Sequence, residues 1–515
     1  MNKTFLILFS IVLIGCGGGS ETLNLPDITT TTNSEEARVA FFKALDNYDN
    51  GGNWEQRRTL LNQALTLDPN FLLAKGILYS NLGAENNNSV LKDVFDKRGE
   101  VSDMESKIIE FLYNQRTNND PEVASYNITM LTDEYPELWR LWYWSGLWKS
   151  FNPGEIYESI DDLETALEIN PNHFGTKLML LNKHLQIGRL GLQLPTDEID
   201  LDYLKSMIED IEKNHSDLGF TFVVVGNYYR TINEFDKAIE SYAKLEEYQD
   251  QGIQFLNQSY LYRALANTFK GDYDEAESFF RRRLELDGSS YGIFSQMFLF
   301  KNDFEGAVDI LNEWEEKLIS LELPAQQELN AIVNINQTKF LCFAHNQLEE
   351  ESLQHIQLTK EARVNSINLR KSRLSDEQYN EQILIAEYIE ETLKIWHDIL
   401  FGSYNLAKEK LVPYKSISDK INSPNNLHNY YVLSALVDLN LGDSESSIRN
   451  FEMTNKNNGF FGTQLDQDYY TYFKALALKA NGKIEESNSL FQEIASKNFY
   501  GIQSALVRNL AIAQL

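Results

Sequence analysis

The chain has 515 residues, of which 43% are hydrophobic and 24% are charged, proportions typical of a folded globular protein. Its 76 acidic residues outnumber its 46 basic ones, so the formal net charge at pH 7 is −30. A field of this sign repels phosphate backbones, and we therefore expect no nucleic-acid partner. The same acidity is typical of a large solvated helical surface, which needs no partner to explain it.

The N-terminal sequence MNKTFLILFSIVLIGC indicates an export signal. A single cation, Lys3, precedes an apolar run that is too short to span a bilayer stably. The run ends in Leu-Ile-Gly-Cys, which resembles the bacterial lipobox. The resemblance implies a signal peptide over 1–15, cleavage before Cys16, and acyl chains such as palmitate on that cysteine, which would anchor the chain in a membrane. Gly17 in place of an aspartate favours the outer membrane, on a side that the sequence leaves open. The alternative is an ordinary signal peptide with an incidental cysteine.

Beyond the signal, the sequence changes first to a tether and then to helices. Residues 16–34 are small, polar and rich in threonine, which predicts a flexible tether. From about residue 35 to the end, apolar residues recur with helical spacing. Several segments place a small residue inside an amphipathic helix that ends at a proline, where a new unit begins. They are LLNQALTLDPN, EVASYNITMLTDEYPE and DDLETALEINPN.

The stretch 225–245, VGNYYRTINEFDKAIESYAKL, shows the repeating unit best. Gly226 and Ala238 are placed where two helices joined by a short turn would touch, and Tyr242 fills the space beside them. This pattern resembles the tetratricopeptide repeat (TPR), a helix–turn–helix unit of about 34 residues. The resemblance covers most of 36–515 and implies an all-α solenoid whose concave face binds proteins or peptides.

The resemblance is uneven along the chain, which predicts three segments. Residues 35–320 form an N-terminal TPR-like solenoid, and 401–515 form a second one that ends in a closing helix. Between them, 321–400 contains the polar run KEARVNSINLRKSRLSDEQYNEQ, which lacks the small-residue spacing. We expect longer or atypical helices there and a break between the two solenoid segments.

Motifs for catalysis or metal binding are absent from the sequence. It contains no HExxH, P-loop, GxSxG or paired CxxC motif, so we predict a protein that is not an enzyme and has no cofactor or metal. Cys342 and His345 share a predicted helix, but unrelated packing roles explain them better than a metal site. Residues 46–54 loosely resemble a calcium loop, but Arg57 occupies the position of its bidentate glutamate, which favours a turn.

Five side chains are candidates for contacts with a ligand. Trp144 and Trp148 share one helix face and would stack on a sugar or an apolar side chain if that face lines the groove; packing between repeats is the alternative. The TPR resemblance places Asn227, Arg230 and the equivalent Lys479 on the concave face. There the two cations would bind a carboxylate of a peptide, or else form ordinary ion pairs.

Two functions therefore stay open. The first is a membrane-anchored, non-enzymatic scaffold that binds a protein or peptide. The second is a SusD-like lipoprotein that captures glycans or nutrients, because that family also combines lipidation with TPR-like helices.

Overall fold

The computed structural model describes residues 25–515 except 51–53, 81, 83–84, 86, 118–120, 151–153, 186–198, 288–289, 422–425, 455–466 and 499–501. The predicted signal peptide 1–15 and the lipidation candidate Cys16 lie outside the described residues. Contacts divide the chain into two compact units near residue 201. We call the described residues up to His184 unit 1, and those from Asp202 to Leu515 unit 2. This division does not coincide with the break predicted at 321–400.

Unit 1 is a stack of helices in which each packs mainly on its neighbours in sequence. Its helices are α1 (Glu35–Asp49), α2 (Trp54–Leu67), α3 (Leu72–Tyr79), α4 (Asn88–Asp96), α5 (Asp103–Thr117), α6 (Pro121–Glu134), α7 (Trp139–Lys149), α8 (Ile156–Ile169) and α9 (Phe174–His184).

The described end of the predicted tether, residues 25–34, lies against unit 1. Ile28 is 2% exposed, the backbone N–H of Thr31 donates to Glu105 Oε1 at 2.7 Å, and Thr32 Oγ1 donates to Asp68 Oδ2 at 2.6 Å. Buried apolar surface and hydrogen bonds to carboxylates fix a segment in place. This part of the tether is therefore packed, where the sequence predicted flexibility.

The same segment completes a buried charge cluster around Arg140 of α7, which is 1% exposed. Its guanidinium donates to Asp27 Oδ1 at 2.9 Å, to Asp46 Oδ1 at 2.9 Å and to Asp49. Burial lowers the pKa of Arg140, but the three carboxylates raise it by more, so it lies above its ordinary value. Arg140 thereby joins the N-terminal segment, α1 and α7. Asp46 and Asp49, members of the loose calcium-loop pattern, serve as its counter-ions.

Unit 2 contains the remaining helices, again packed on their sequence neighbours. They are α10 (Leu201–Asn214), α11 (Gly219–Thr231), α12 (Phe235–Ala243), α13 (Ile253–Lys270), α14 (Tyr273–Asp287), α15 (Tyr291–Phe300), α16 (Phe304–Ser320), α17 (Ala325–His345), α18 (Glu349–Arg370), α19 (Asp376–Leu400), α20 (Tyr404–Ser418), α21 (His428–Asn440), α22 (Ser444–Glu452), α23 (Gln467–Ala480), α24 (Ile484–Ser496) and α25 (Ile502–Ile512). No strand occurs among the described residues, and the fold is all-α and TPR-like, as the sequence predicted.

One turn recurs between the two helices of seven successive pairs, from α11–α12 to α23–α24. In each turn, one residue has a positive φ. The backbone N–H of the next residue donates to the carbonyl of the residue five positions before it, at 2.8–2.9 Å. This is the Schellman arrangement that ends helices, and glycine or asparagine is favoured at its left-handed position. The left-handed residues are Asn233, Gly271, Asn302, Gln347, Gly402, Gly442 and Gly482. The shared turn makes these pairs equivalent repeats.

A fully buried small residue follows each turn by five positions. These residues are Ala238, Ala276, Ala307, Ser352, Ala407, Ser447 and Ser487, all 0% exposed. Where the residue is serine in the last two pairs, its hydroxyl bonds the preceding helix: Ser447 Oγ donates to the Ala435 carbonyl, and Ser487 Oγ to that of Ala475, each at 2.8 Å. At Gly226, an added Cβ would overlap the ring of Tyr242. Small residues thus set the close approach of paired helices.

The segment 321–400 holds the three longest helices of the described chain. α17, α18 and α19 have 21, 22 and 25 residues, whereas no other described helix exceeds 18. Near the Gln347 turn, α17 and α18 pair like the other repeats. At the opposite end all three extend past the ordinary repeat length.

The final helix closes unit 2. α25 packs on α23 and α24, as a closing helix should, and also on α15. Asn509 on α25 donates through Nδ2 to the carbonyl of Phe300, at the end of α15, and to Tyr273 Oη at 3.2 Å. The C-terminal helix therefore ties the last repeat to earlier ones. In the part of the chain that the structure describes, no helix is both long and apolar enough to cross a bilayer.

Candidate functional site

A cleft lies between the extended ends of α17, α18 and α19. It encloses about 510 Å³, within the range of roughly 300–1,000 Å³ that is usual for ligand sites. Its lining combines cations, amides and aliphatic side chains and contains no carboxylate, in a chain with 76 acidic residues. The lining residues are Gln326, Asn330, Val333 and Asn334 on α17, Arg363, Ser366, Ile367 and Arg370 on α18, and Gln382, Ile385, Ala386 and Ile389 on α19.

The wall supplied by α17 is a row of amides. Gln326, Asn330 and Asn334 follow one another at four-residue spacing and therefore share one helix face. Gln326 Nε2 donates to Asn330 Oδ1 at 3.0 Å and to Ser366 Oγ across the cleft. The buried Oε1 of Gln326 has no hydrogen-bond partner among the described residues. The row therefore contains one buried acceptor that no described donor satisfies.

The wall supplied by α18 carries two guanidinium groups. Arg363 and Arg370 are two helical turns apart and both are half-buried. Burial lowers the pKa of Arg363 to about 10, which still leaves it protonated at neutral pH. Arg370 Nε donates to the carbonyl of Ser366 at 3.4 Å, and no described carboxylate forms an ion pair with Arg370. Two guanidinium groups thus line the cleft, and no carboxylate is among its lining residues.

The floor comes largely from α19, whose Ile385, Ala386 and Ile389 face the cleft. The start of this helix is fixed by a capping box: Ser375 Oγ accepts from the Gln378 N–H at 3.2 Å, and Gln378 Oε1 accepts from the Ser375 N–H at 3.0 Å. The cleft therefore has a rigid apolar base below its polar walls.

This cleft is not among the sites that the sequence predicted. The polar run 360–382 lacks the small-residue spacing of a repeat, because it forms the extensions of α18 and α19 and not their paired ends. The available signals were the four-residue spacing of the α17 amides and the two arginines in a chain poor in cations. Neither signal shows which helices meet.

The predicted tryptophan pair lies within the packing of unit 1. Trp144 is 2% exposed, and Trp148 is half-buried with its ring 6.4 Å from that of Phe111 in an edge-on arrangement. Aromatic pairs of this geometry stabilise helix packing. The arrangement corresponds to the packing alternative for Trp144 and Trp148.

Asn227 and Arg230 on α11 are also buried, at 2% and 3% exposure. Asn227 Oδ1 accepts from the hydroxyl of Tyr242 at 2.7 Å, which joins the two helices of the pair. The Arg230 guanidinium lies over the Tyr262 ring at 5.8 Å, and the Arg230 carbonyl accepts from Asn498 Nδ2, beyond α24. Neither side chain is accessible to a ligand in this structure.

Lys479, the candidate equivalent to Arg230, lies on the surface of α23. Its Nζ donates to Gln514 Oε1 at 2.9 Å, next to the end of α25. No described hydrogen bond joins Lys479 to Asn227 or Arg230, the other concave-face candidates of unit 2 that the sequence suggested.

The residues weighed for metal binding have packing roles. Burial raises the pKa of the Cys342 thiol to about 12, so the thiol is protonated. His345 stacks on the Phe304 ring at 5.0 Å, and His355 Nδ1 lies 2.7 Å from Asn336 Oδ1. No group of three or more potential metal ligands occurs among the residues that the structure describes.

No protein-family model matches the sequence, and no curated protein matches it. Among solved structures, the chain is similar to the Cut9–Hcn1 hetero-tetramer of the APC/C, with 14% identity over 90% of this chain and 78% of that chain and a TM-score of 0.36. It is similar to yeast Tom70, with 14% identity over 93% and 96% and a TM-score of 0.28. A third similar structure is the P58(IPK) TPR domain, with 12% identity over 80% and 99% and a TM-score of 0.21. At these TM-scores the likenesses carry no argument about function.

Proposed function

We propose that this chain is a non-enzymatic scaffold, held by lipid in a bacterial envelope, that binds a protein or peptide in the cleft between α17, α18 and α19. The observation that carries the proposal is the cleft itself. Its lining combines two guanidinium groups, a row of amides and an apolar floor on three long packed helices. A rigid surface of this kind offers contacts that lose little conformational entropy on binding.

The absence of catalysis is part of the proposal. The polar side chains of the cleft are amides, a serine and two guanidinium groups, and none of them is paired with a general base within the lining. Desolvation lowers the pKa of His345, His355 and His428 to about 4. Neutral, packed imidazoles suit a structural role.

The envelope location rests on the lipobox resemblance at Cys16, and we propose the outer membrane. The segment 25–34, which packs on unit 1, limits how far Cys16 can lie from this unit. Residues 17–24 separate Cys16 from the first described residue, and so short a chain reaches at most about 30 Å. An acyl chain on Cys16 would therefore hold unit 1 close to the bilayer surface.

Site-specific photo-crosslinking tests the binding claim. A benzophenone amino acid replaces Asn330, an exposed member of the cleft wall, and the matched control replaces Glu409, exposed on α20. In the cells that produce the chain, the Asn330 variant should yield a discrete protein adduct that Arg370→Gln abolishes. No adduct, or the same adduct from the Glu409 variant, would contradict binding in the cleft.

Lipid anchoring is tested separately. Cys16→Ser should move the protein from the membrane fraction to the soluble fraction, because it removes the acylated thiol. Retention in the membrane fraction would show that Cys16 is not the anchor.

The glycan-capture alternative depends on an aromatic platform. Trp144, one half of the predicted pair, is 2% exposed, and therefore offers no face to a sugar in this structure. For this reason we favour the protein-binding scaffold.

A further inference from the structure

We propose that unit 2 has a second protein-binding surface, which α25 of the same chain covers. This surface, the α13–α15 edge, is formed by Phe269 on α13, Tyr273 at the start of α14 and Phe300 at the end of α15. Its partner is an amphipathic helix that takes the place of α25 and carries adjacent arginine and asparagine side chains among small and aliphatic residues. The inference is independent of the cleft, because other helices and another ligand are involved.

α25 is enclosed on all sides at its centre. Five consecutive side chains are at most 6% exposed, those of Ser504, Ala505, Leu506, Val507 and Arg508. Five residues exceed one full turn of an α-helix, which takes about 3.6, so every side of this turn is covered. A helix that only capped the last repeat would bury a single face. α25 therefore lies between two surfaces of unit 2, the last repeat and the α13–α15 edge.

The α13–α15 edge offers acceptors to α25. The Phe300 carbonyl accepts from Asn509 Nδ2, and Tyr273 Oη accepts from the same amide at 3.2 Å. The Arg508 guanidinium lies over the Phe269 ring, 5.2 Å from its centroid. Carbonyls in the last turn of a helix have no partner within the helix and carry the negative end of its dipole. The edge therefore favours a segment that brings donors and a cation.

A second asparagine makes the same kind of contact at α11. Asn498 is 1% exposed, and its Nδ2 donates to the carbonyl of Arg230, in the last turn of α11. α11 and α15 are the first helices of two repeats, so Asn498 and Asn509 bind corresponding ends of different repeats. Recognition of an asparagine amide by a helix end is thus a property of the repeat and not of one position.

The two sides of α25 are held by different chemistry. Toward the last repeat, Ser504 Oγ and Lys497 Nζ both donate to the carboxylate of Asp468, a residue of α23 that is 3% exposed. Toward the α13–α15 edge, the hydrogen bonds come from the neutral amide of Asn509. Hydrogen bonds to an ionised group are roughly twice as strong as neutral ones. The interface that opens is therefore the one at the edge, while α25 stays on the last repeat.

The edge also has a hydrogen bond that persists when α25 leaves. Tyr273 Oη donates to the Phe300 carbonyl at 3.4 Å. If Asn509 moves away, this bond keeps the carbonyl satisfied. Losing a partner costs most where a buried polar group is left with none, and release from the edge avoids that cost. The α13–α15 edge is thus suited to exchange one helix for another.

α25 is a competitor within the same chain, which determines how a partner helix binds. A tethered segment acts at an effective concentration in the millimolar range when its linker is short. The apparent affinity of a partner helix is therefore reduced by the small fraction of molecules in which the edge is open. Weakening the contact between α25 and the edge should raise that affinity by the factor by which the open fraction rises.

The test uses fluorescence anisotropy with the intact chain and a labelled peptide of residues 502–515, which contains α25. Asn509→Ala in the protein removes both amide bonds to the edge, so we expect this variant to bind the peptide about tenfold more tightly than the wild type does. The matched control is Gln514→Ala, which removes an amide that accepts from Lys479 on α23 and should change Kd less than about twofold. Melting curves confirm folding. If Asn509→Ala does not fold, Asn498→Ala replaces it, with the same expected direction.

Two further measurements locate the peptide and its contacts. A peptide that itself carries Asn509→Ala should bind the Asn509→Ala protein about tenfold more weakly than the unchanged peptide does. A benzophenone in place of Leu510 of the peptide, an exposed position on α25, should form crosslinks within 269–300 of the protein.

Three results would overturn the proposal. Equal binding by the wild type and the Asn509→Ala protein, or no binding at millimolar concentration, would leave α25 as a structural cap. Crosslinks to α23 or α24 would show that the peptide replaces α25 on the last repeat and not on the edge. A dimer of the Asn509→Ala protein in the absence of peptide, measured by light scattering, would identify a second copy of this chain as the occupant.

Discussion

Two regions of this chain use arginine in opposite ways. In unit 1, Arg140 is 1% exposed and bonded to Asp27, Asp46 and Asp49. In unit 2, Arg370 is half-buried in an open cleft whose lining contains no carboxylate. A buried cation with its counter-ions is a structural element, because removing either partner leaves an uncompensated charge. Arg370, which forms no ion pair with a described carboxylate, is available to a ligand.

The largest expected effect is on the Arg140 cluster. Arg140→Met leaves three carboxylates without their cation, and should lower the free energy of unfolding by about 3–5 kcal/mol, measured by urea denaturation. Arg370→Met removes a cation that no described acid neutralises. It should change the free energy of unfolding by less than about 0.5 kcal/mol. If both variants lost the same free energy of unfolding, the two arginines would not differ in structural role, and the comparison would be wrong.

The pH dependence of the same cluster is the next largest effect. Burial raises the pKa of Asp49 to about 7, against about 3.9 when unfolded, although Arg140 acts in the opposite direction. Between these values the folded state binds more protons than the unfolded state, so the contribution of Asp49 to stability falls as pH rises from about 4 to 7. Asp49→Asn should remove that slope, of the order of 1 kcal/mol per pH unit, in denaturation series at fixed ionic strength. Parallel curves for the variant and the wild type across this window would contradict the assignment to Asp49.

A smaller effect is expected at the docked N-terminal segment. Asp27→Ala removes the three hydrogen bonds that Arg140 donates to Asp27, while Asp46 and Asp49 remain, and should cost about 1–2 kcal/mol. Amide hydrogen exchange over residues 25–34 should become faster. Lys43→Ala, at an exposed site on α1, is the control and should leave exchange in that segment unchanged.

The repeat pattern could be predicted from sequence because it depends on local chemistry. Gly226, Ala238 and Tyr242 meet as their spacing indicated, since a glycine or alanine is needed where paired helices touch. The pairing of α17 with α18 was harder to see. Its turn uses Gln347 where glycine or asparagine is favoured, and its small residue is Ser352, so neither marker stands out.

The cleft could not be predicted because it depends on helix length and tertiary packing. Gln326 and Arg363 are far apart in sequence and face each other only because α17 and α18 both extend past their paired ends. The sequence also does not show which of the candidate ligand-binding residues are buried. Asn227, Arg230 and Trp144 occupy helix positions that suit ligand contact, but neighbouring segments cover all three.

Hydrogen–deuterium exchange with and without the protein captured by the Asn330 photo-crosslink tests the central claim, that the α17–α19 cleft is the ligand site, most directly. At a saturating concentration of that partner, slower exchange should appear in 326–334, 363–370 and 382–389, while the Arg140 region of unit 1 stays unchanged. The same protection should be absent in Arg370→Gln and present in Arg373→Gln, which changes an exposed arginine outside the lining. Protection that appears instead around Trp144 and Trp148, or on α11 around Arg230, would contradict the account.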